Sequence, residues 1–282
     1  MDNATTSHSP STFHFTRLTN HQPQRYDDLH SLMGVPDVAR ETWLFVGAHD
    51  DDICIGAGLW LQAAVQAGVD VWALIVTDGR MGYCTPEQEP HIVEIRRRET
   101  LTSFEILGLA AEKILFFDYP DNDLAAHQGR RKAPSDPYAI AGYTGLQNSF
   151  TWLLRKLQPG RIFIPAESDT HPDHKITYTE LMISVFHATG AIWPELGTPM
   201  KRLPMIYESA IYEDFRIPPN LELRADELAY ERRMQSVLAY ESQAQIEAVI
   251  AEIEALGPYE YLYEHPFPQY NPAQYRHLFA SG

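Results

Sequence analysis

The clearest indication of the fold lies in residues 42–52, which are Thr42-Trp43-Leu44-Phe45-Val46-Gly47-Ala48-His49-Asp50-Asp51-Asp52. Residues 42–48 are short and mostly apolar and are followed by polar residues, a pattern typical of a strand buried on both faces of a parallel sheet. The stretch 55–66 favours a helix, which Ala67-Gly68 would end before a second apolar run at 71–76. This order predicts a βαβ unit with His49 at the carboxyl end of its first strand.

The same alternation of strand and helix continues along the chain. Periodicity and turn residues predict the following elements: helix 94–107, strand 113–117, helix 150–157, strand 161–165 and a helix pair within 225–256. Residues 191–222 are rich in proline and have weak periodicity. We therefore expect a Rossmann-like α/β fold with a mainly parallel sheet, helices on both faces and an active site at the carboxyl ends of the strands.

Length and composition fit one catalytic domain. The chain has 282 residues, of which 44% are hydrophobic and 21% charged, enough for a sizeable core. Residues 1–37 are poor in aliphatic side chains and rich in His, Ser, Pro, Asn and Gln. We expect them to be a polar arm, poorly ordered or peripheral, and residues 38–282 to form the single domain.

Charge and cysteine content exclude several classes of partner. The 22 Lys and Arg against 38 Asp and Glu give a formal net charge of -16, which disfavours nucleic acid and anionic membranes. Two cysteines, Cys54 and Cys84, are too few for a disulfide framework. Residues 1–10 lack a secretory pattern, and no apolar run approaches the roughly 20 residues of a membrane span. We expect a cytoplasmic protein with a small-molecule substrate, and a homo-oligomer is compatible with the sequence.

Two strand ends carry unusual numbers of metal-binding side chains. The first is His49-Asp50-Asp51-Asp52, where three adjacent carboxylates repel one another unless a cation compensates them. The second is Ser168-Asp169-Thr170-His171-Pro172-Asp173-His174, which follows the strand at 161–165. Each stretch alone could be a solvated turn or a helix cap. Together they supply imidazoles and carboxylates that could bind one metal and leave a coordination position for water.

These motifs resemble the zinc-dependent N-deacetylases called LmbE-like or PIG-L-like. That family has Ala-His-Pro-Asp-Asp-Glu after its first strand and His-Pro-Asp-His after a later one, and this chain has residues 48–53 and 171–174 at those places. The resemblance continues in Thr77-Asp78-Gly79, in Tyr119-Pro120-Asp121 and in Tyr240-Glu241-Ser242-Gln243. It follows the family's order over residues 43–267.

The resemblance implies a role for each motif residue. His49, Asp52 and His174 would bind one Zn²⁺, or another divalent metal, and Asp51 would be the general base. His171 would stabilise the oxyanion or protonate the leaving amine, with Asp173 holding its ring. These roles suit the chemistry, because zinc lowers the pKa of bound water toward about 7 and a nearby carboxylate can accept the proton.

Two further residues match substrate-binding positions of the family. Arg96 lies in a basic run on a predicted helix and Asp121 lies in a predicted turn. A solvated arginine and a turn-forming aspartate are the plain alternatives. The motif also departs from the family, because Asp50 stands where a proline is usual and Ile53 where a glutamate is usual. Neither position is a metal ligand, so the catalytic set is complete.

The resulting hypothesis is a hydrolase that removes the acetyl group from an N-acetylglucosamine-type sugar or its conjugate. The same metal chemistry could act on another amide, such as a thiol conjugate. An inactive sugar-binding module is a further alternative. A nucleotide-binding Rossmann protein fits less well, because Gly56-Ala57-Gly58 lacks the third glycine of the dinucleotide motif and follows three aspartates. Loops 124–148 and 191–222 are expected to set substrate selectivity.

Overall fold

A computed structural model describes residues 10–278 of the chain. Its strands within that range are β1 (Phe13–Thr19), β2 (Gln22–Tyr26), β3 (Thr42–Gly47), β4 (Asp70–Thr77), β5 (Ile114–Tyr119), β6 (Arg131–Lys132), β7 (Tyr143–Thr144), β8 (Arg161–Pro165), β9 (Met205–Ser209), β10 (Leu221–Ala225) and β11 (Tyr259–Pro266). Its α-helices are α1 (Leu29–Met33), α2 (Asp52–Gln66), α3 (Ile92–Ile106), α4 (Leu146–Leu157), α5 (Pro172–Thr189), α6 (Glu227–Leu238) and α7 (Ile246–Leu256).

One nine-stranded sheet in the order β2-β1-β10-β11-β9-β8-β3-β4-β5 organises the fold. The strands from β9 to β5 in that order are parallel to their neighbours, with β3 between β8 and β4. The four predicted strands correspond to β3, β4, β5 and β8. The predicted Rossmann-like α/β fold, with its mainly parallel central sheet, is therefore confirmed.

Helices cover both faces of the parallel strands, as expected. Successive side chains of β3 alternate between the faces, so Trp43 and Phe45 enter one core while Leu44 and Val46 enter the other. The first core lies under α2 and α3 and includes the fully buried Trp60 and Phe104. The second lies under α4 and α5. Because β3 is buried on both faces, the residues that follow it are held rigidly.

Four antiparallel strands extend the sheet beyond β9, and the sequence patterns did not predict them. β11 pairs with β9, β10 with β11, β1 with β10 and β2 with β1. In β1, Phe13 and Phe15 point to the core, while His14 between them and the residues after them are more exposed. That alternation fits a strand with one face in water. Such a strand contains few apolar residues, so the overall composition of the segment does not reveal it.

The segment expected to be a polar arm therefore needs revision where it is described. Residues 10–37 contribute β1, β2 and α1, and β1 hydrogen-bonds across its length to β10. Their place at the edge of the sheet is peripheral, but they are paired into it rather than poorly ordered. Residues 1–9, which belong to the same expected arm, lie outside the described part of the chain.

Helix α2, which follows the first motif, has a break at Ala57, whose φ of -148° and ψ of 22° are not helical. The backbone N–H groups of Leu59 and Trp60 donate to the buried carboxylate of Glu260 on β11. Arg233 of α6 pairs with the same carboxylate at 2.8 Å. The Glu260 carboxylate therefore lies at the amino end of the second part of α2, where a negative charge stabilises a helix. This contact also anchors α2 to the antiparallel strands.

Gly56 and Gly58 in α2 have a packing role instead of the phosphate-binding role considered above. A Cβ atom at Gly56 would lie 2.4 Å from Ile211 Cδ1, and one at Gly58 would lie 3.4 Å from Arg233 Cγ. Both positions bring the helix close to its neighbours, with no loop open to a pyrophosphate. None of the helices described within residues 10–278 is long and apolar enough to cross a membrane.

Candidate functional site

The first part of the site is the turn that joins β3 to α2. Asp52 is the first residue of α2, and its Oδ2 accepts a hydrogen bond of 2.9 Å from the His49 backbone N–H. Asp51 occupies the helix N-cap position but makes no side-chain capping bond. The turn therefore fixes Asp52, while the carboxylate of Asp51 is not used to cap the helix.

The second part is the turn that joins β8 to α5. His171 is the N-cap of α5 and Pro172 is its first residue, where a proline costs no hydrogen bond. His174 consequently lies in the first turn of α5 and is fully buried. Because β3 and β8 are parallel neighbours, both turns lie at the same edge of the sheet.

Three side-chain atoms from the two turns converge on one point. His49 Nδ1 lies 3.1 Å from His174 Nε2. Asp52 Oδ1 lies 3.2 Å from His174 Nε2 and 3.7 Å from His49 Nδ1. The structure therefore brings together the three residues that the sequence proposed as metal ligands.

The spacing of these atoms fits a metal ion. A tetrahedral ion with bonds of about 2.0–2.1 Å places its ligand atoms roughly 3.4 Å apart, which matches the observed triangle. Asp52 Oδ1 is buried and has no hydrogen-bond partner among the described residues, so it is available as a ligand. Two ring nitrogens that face each other at 3.1 Å need a shared proton or a cation between them.

The carboxylates around the histidines govern the protonation of both rings. Burial lowers the pKa of His174, but Asp52 and Asp169 outweigh burial and raise it to about 9. Burial likewise opposes charge on His49, and contacts with Asp121, Asp173 and Asp52 raise its pKa well above the ordinary value. The cluster thus favours positive charge at its centre, which a bound metal cation would supply in place of protons.

Asp169 holds the far side of the His174 ring. Its Oδ2 lies 2.9 Å from His174 Nδ1, and its Oδ1 accepts a 2.9 Å hydrogen bond from the His171 backbone N–H. The side chain is fully buried. An Nδ1–H donated to Asp169 leaves the lone pair on Nε2, the atom that faces His49 and Asp52.

The far side of the His49 ring faces two carboxylates. His49 Nε2 lies 3.3 Å from Asp121 Oδ1 and 3.6 Å from Asp173 Oδ2. These three residues also form a cluster whose spacing could hold a metal, as do His49, His171 and His174. Because one imidazole rarely gives both nitrogens to metals, we interpret Asp121 and Asp173 as acceptors of the Nε2–H.

His171 has an orientation that fixes its tautomer. The backbone N–H of Asp173 donates to His171 Nδ1 at 3.2 Å, so the neutral ring carries its hydrogen on Nε2. The family resemblance predicted that the Asp173 carboxylate would hold this ring. In the structure that carboxylate instead accepts a 2.7 Å hydrogen bond from the Asn122 backbone N–H and faces His49. The backbone of Asp173 therefore orients His171, because its N–H donates to the ring across the turn into α5.

The histidines and aspartates open onto a cleft of about 240 Å³. Its described lining residues are His49, Asp50, Asp51, Gly79, Met81, Gly82, Arg96, Asp121, Asn122, His171, Tyr212, Gln243 and Gln245. The side chain of Asp51 is 13% exposed and lies beside the cluster. The cleft is thus lined mainly by polar groups, among them the Asp51 carboxylate and the His171 imidazole.

Arg96 and Asp121 both line this cleft, and both already have protein partners. Arg96 Nη2 contacts Asp50 and lies 3.2 Å from Asp51 Oδ2. Asp121 Oδ2 accepts a 3.1 Å hydrogen bond from the Met81 N–H, while its Oδ1 faces His49. Their placement is compatible with substrate binding. Each also contacts the first motif, Arg96 through Asp50 and Asp51 and Asp121 through His49.

Three residues that shape the site had no role predicted from the sequence. Asp169 orients His174. Tyr212 lies over the His174 ring with centroids 5.2 Å apart, and its backbone N–H donates to Asp169. Gln243 closes the cleft by donating to the Gly82 carbonyl at 2.7 Å. Asp169 could have been found from its position beside the histidines, whereas Tyr212 lies in the proline-rich stretch whose local pattern is uninformative.

Comparison with protein families identifies a match over residues 44–185 to the family described as PIG-L, GlcNAc-PI de-N-acetylase. Two similar proteins are deacetylases. A diacetylchitobiose deacetylase of Thermococcus kodakarensis is 31% identical over 47% of this chain and 44% of its own length. A 1D-myo-inositol 2-acetamido-2-deoxy-alpha-D-glucopyranoside deacetylase of Kineococcus radiotolerans is 28% identical over 52% of this chain and 45% of its own length. The matches thus span less than half of each relative.

Among solved structures, an N,N'-diacetylchitobiose deacetylase from Pyrococcus horikoshii has a similar fold. The TM-score is 0.65 at 24% identity, over 89% of this chain and 94% of that one. At this identity the likeness concerns the fold alone. It extends the similarity beyond the matched family segment, to most of the described sheet.

Proposed function

Because the chain belongs to the PIG-L family of de-N-acetylases, we propose that it is a zinc-dependent hydrolase that removes the acetyl group from an N-acetylated amino sugar or its conjugate. The observation that carries the proposal is the convergence of His49 Nδ1, Asp52 Oδ1 and His174 Nε2 within 3.1–3.7 Å of one another. Asp51 and His171 line the cleft beside that point. This arrangement supplies ligands, a base and a hydrogen-bond donor for amide hydrolysis.

His49, Asp52 and His174 would hold the zinc ion, one per chain. Two imidazoles and one carboxylate form a common ligand set of catalytic zinc sites. When bound, zinc would polarise the amide carbonyl and lower the pKa of an attacking water. Asp169 and the pair Asp121 and Asp173 orient the two imidazoles from behind, so the ligand atoms need little rearrangement.

The remaining roles belong to Asp51 and His171. The Asp51 carboxylate takes a proton from a water molecule as the water oxygen adds to the carbonyl carbon of the acetyl group. The carboxyl group then passes that proton to the sugar nitrogen as the C–N bond breaks. Acetate and the free amine are the products. The neutral His171 ring, with its hydrogen on Nε2, donates to the oxygen that becomes negative during addition. The tautomer favours this role over protonation of the amine.

The relatives' names support an amino-sugar substrate, because both are deacetylases of acetylated glucosamine derivatives. We further propose that residues 38–282 act as one catalytic domain, to whose sheet residues 10–37 add the edge strands β1 and β2, since that sheet carries both motif turns and the cleft. The net charge of -16 supports a small-molecule substrate over a nucleic acid. A cytoplasmic location stays a prediction from composition alone, and the sequence is compatible with a homo-oligomer without predicting one.

Acetate release tests the proposal directly. Zinc-reconstituted protein is incubated with N-acetylglucosamine, N,N'-diacetylchitobiose and an N-acetylglucosaminyl inositol, and acetate and free amine are both quantified. We expect the two products in equal amounts from at least one of these sugars. Zinc-loaded protein that releases acetate from none of them, but cleaves an acetylated thiol conjugate, would replace the sugar by another amide. Binding of the sugars without any hydrolysis would indicate an inactive binding module.

Asp169→Asn should weaken zinc binding although Asp169 is not a ligand. The substitution removes the charge that holds His174 Nδ1–H, and loss of such a partner typically costs about 10–100-fold in metal affinity. Competition with a fluorescent chelator measures the zinc dissociation constant. Asp214→Asn, at an exposed position in the segment after β9, is the control and should bind zinc as the unmodified protein does. An unchanged zinc affinity in Asp169→Asn would contradict the role.

A further inference from the structure

Arg96 is the single Lys or Arg among the described residues that line the cleft. It is 5% exposed, and its guanidinium stacks on the Tyr240 ring at 4.9 Å. Its Nε and Nη1 atoms are buried and have no hydrogen-bond partner among the described residues. A buried cation with unused donors beside an open cleft would ordinarily be a site for an anion.

Asp50 changes that expectation, because its carboxylate pairs with Arg96 and compensates the positive charge of the guanidinium. The Asp50 carboxylate contacts Arg96 Nη2 and accepts a 3.2 Å hydrogen bond from Thr100 Oγ1 on the same helix. Tyr240, which stacks on Arg96, also donates its hydroxyl to the Asp50 carbonyl. Asp50 is only 5% exposed, so its pairing with Arg96 is largely shielded from solvent.

The nearby arginines outside the cleft also have carboxylate partners. Arg80 pairs with Asp78 at 2.5 Å, and Arg97 pairs with Asp118. Three carboxylates, those of Asp50, Asp51 and Asp121, line the cleft with Arg96. Within the described residues, the cleft therefore offers no cation that is free to receive an anionic group of a substrate, other than a bound metal ion.

We propose that Asp50 is a specificity-determining residue: by pairing with Arg96, it makes the cleft select an uncharged N-acetylated sugar over an anionic one. The inference rests on the proposed deacetylase function. It concerns one of the two positions where this chain departs from the family pattern, and a proline there could not pair with Arg96. Asp50 acts through Arg96, so it is a positioning residue for substrate choice and takes no part in the reaction itself.

The test compares N-acetylglucosamine with N-acetylglucosamine 6-phosphate. The unmodified protein should have the higher kcat/KM with the neutral sugar. In Asp50→Asn that preference should fall by about tenfold, through a lower KM for the phosphorylated sugar, because Arg96 loses one of its two described carboxylate partners and keeps only Asp51. Asp50→Pro should give the same shift, and the Asp50 backbone N–H makes no described hydrogen bond that a proline would remove.

Two controls separate this effect from a general disturbance of the site. Asp118→Asn frees Arg97, which lies on the same helix but does not line the cleft, and should leave the preference unchanged. In an Arg96→Gln background, adding Asp50→Asn should change the preference by less than about twofold, because the two residues act as one unit. An equal shift with and without Arg96 would overturn the proposal.

Binding measurements keep the outcome independent of turnover. Calorimetric titration of the zinc-loaded protein with glucosamine and with glucosamine 6-phosphate gives the ratio of their dissociation constants. We expect Asp50→Asn to shift this ratio toward the phosphorylated sugar by about tenfold. Hydrolysis of N-acetylglucosamine with an unshifted ratio would refute the role of Asp50 and leave the deacetylase intact. Binding of neither sugar, with no hydrolysis, would refute both.

Discussion

Asp51→Asn is expected to lower kcat for deacetylation by about 10²–10⁴-fold while the protein retains one zinc per chain. Asp51 is not one of the three proposed zinc ligands, and its side chain makes no capping hydrogen bond to α2. Asparagine has the same shape but cannot accept the proton of the attacking water. The zinc content of the purified protein and the initial rate of acetate release are the two measurements.

The substitution also tests whether Asp51 acts chemically or only through Arg96. Asparagine can still accept a hydrogen bond from Arg96, so the geometry of that contact should survive. Asp123→Asn, an exposed carboxylate in the segment after β5, is the matched control and should retain full activity. Turnover by Asp51→Asn close to that of the control would move the role of base to another residue. Zinc loss in Asp51→Asn would instead make Asp51 a ligand.

The parallel half of the fold could be predicted because its strands are buried on both faces. β3, β4 and β8 are short apolar runs that end in polar residues, and each run is too short for a buried helix. The antiparallel strands β1 and β10 have one solvated face, so their alternation over five to seven residues competes with the pattern of an irregular loop. Their burial depends on pairing with strands distant in the sequence, which local patterns cannot show.

The convergence of the proposed metal ligands was predictable from topology, whereas their supporting contacts were not. Two turns after neighbouring parallel strands must meet at one edge of the sheet, so His49 and His174 were expected to lie together. The direction of the Asp173 carboxylate depends on the backbone of α5 and on the loop after β5, which supplies the Asn122 N–H. The pairing of Asp50 with Arg96 joins positions 46 residues apart, and no local pattern encodes it.

His174→Ala is expected to abolish zinc binding at micromolar metal and, with it, acetate release. Sharing an apparent zinc-binding free energy of about 10–16 kcal/mol among three ligands gives about 3–5 kcal/mol for each, or about 10²–10⁴-fold in affinity. The change also leaves Asp52 Oδ1 and Asp169 without the imidazole between them. Metal content after dialysis and acetate release at saturating substrate measure the two effects.

The matched control is His187→Ala, which removes a histidine from the same helix, α5, outside the cleft. It should keep both zinc and activity, because the His187 ring packs against Trp193, away from the metal cluster. Since the metal would bind folded protein, zinc should also raise the melting temperature of the control and not that of His174→Ala. A His174→Ala protein that binds zinc as tightly as the control would place the metal elsewhere, with the alternative triad of His49, Asp121 and Asp173 as the next set to substitute.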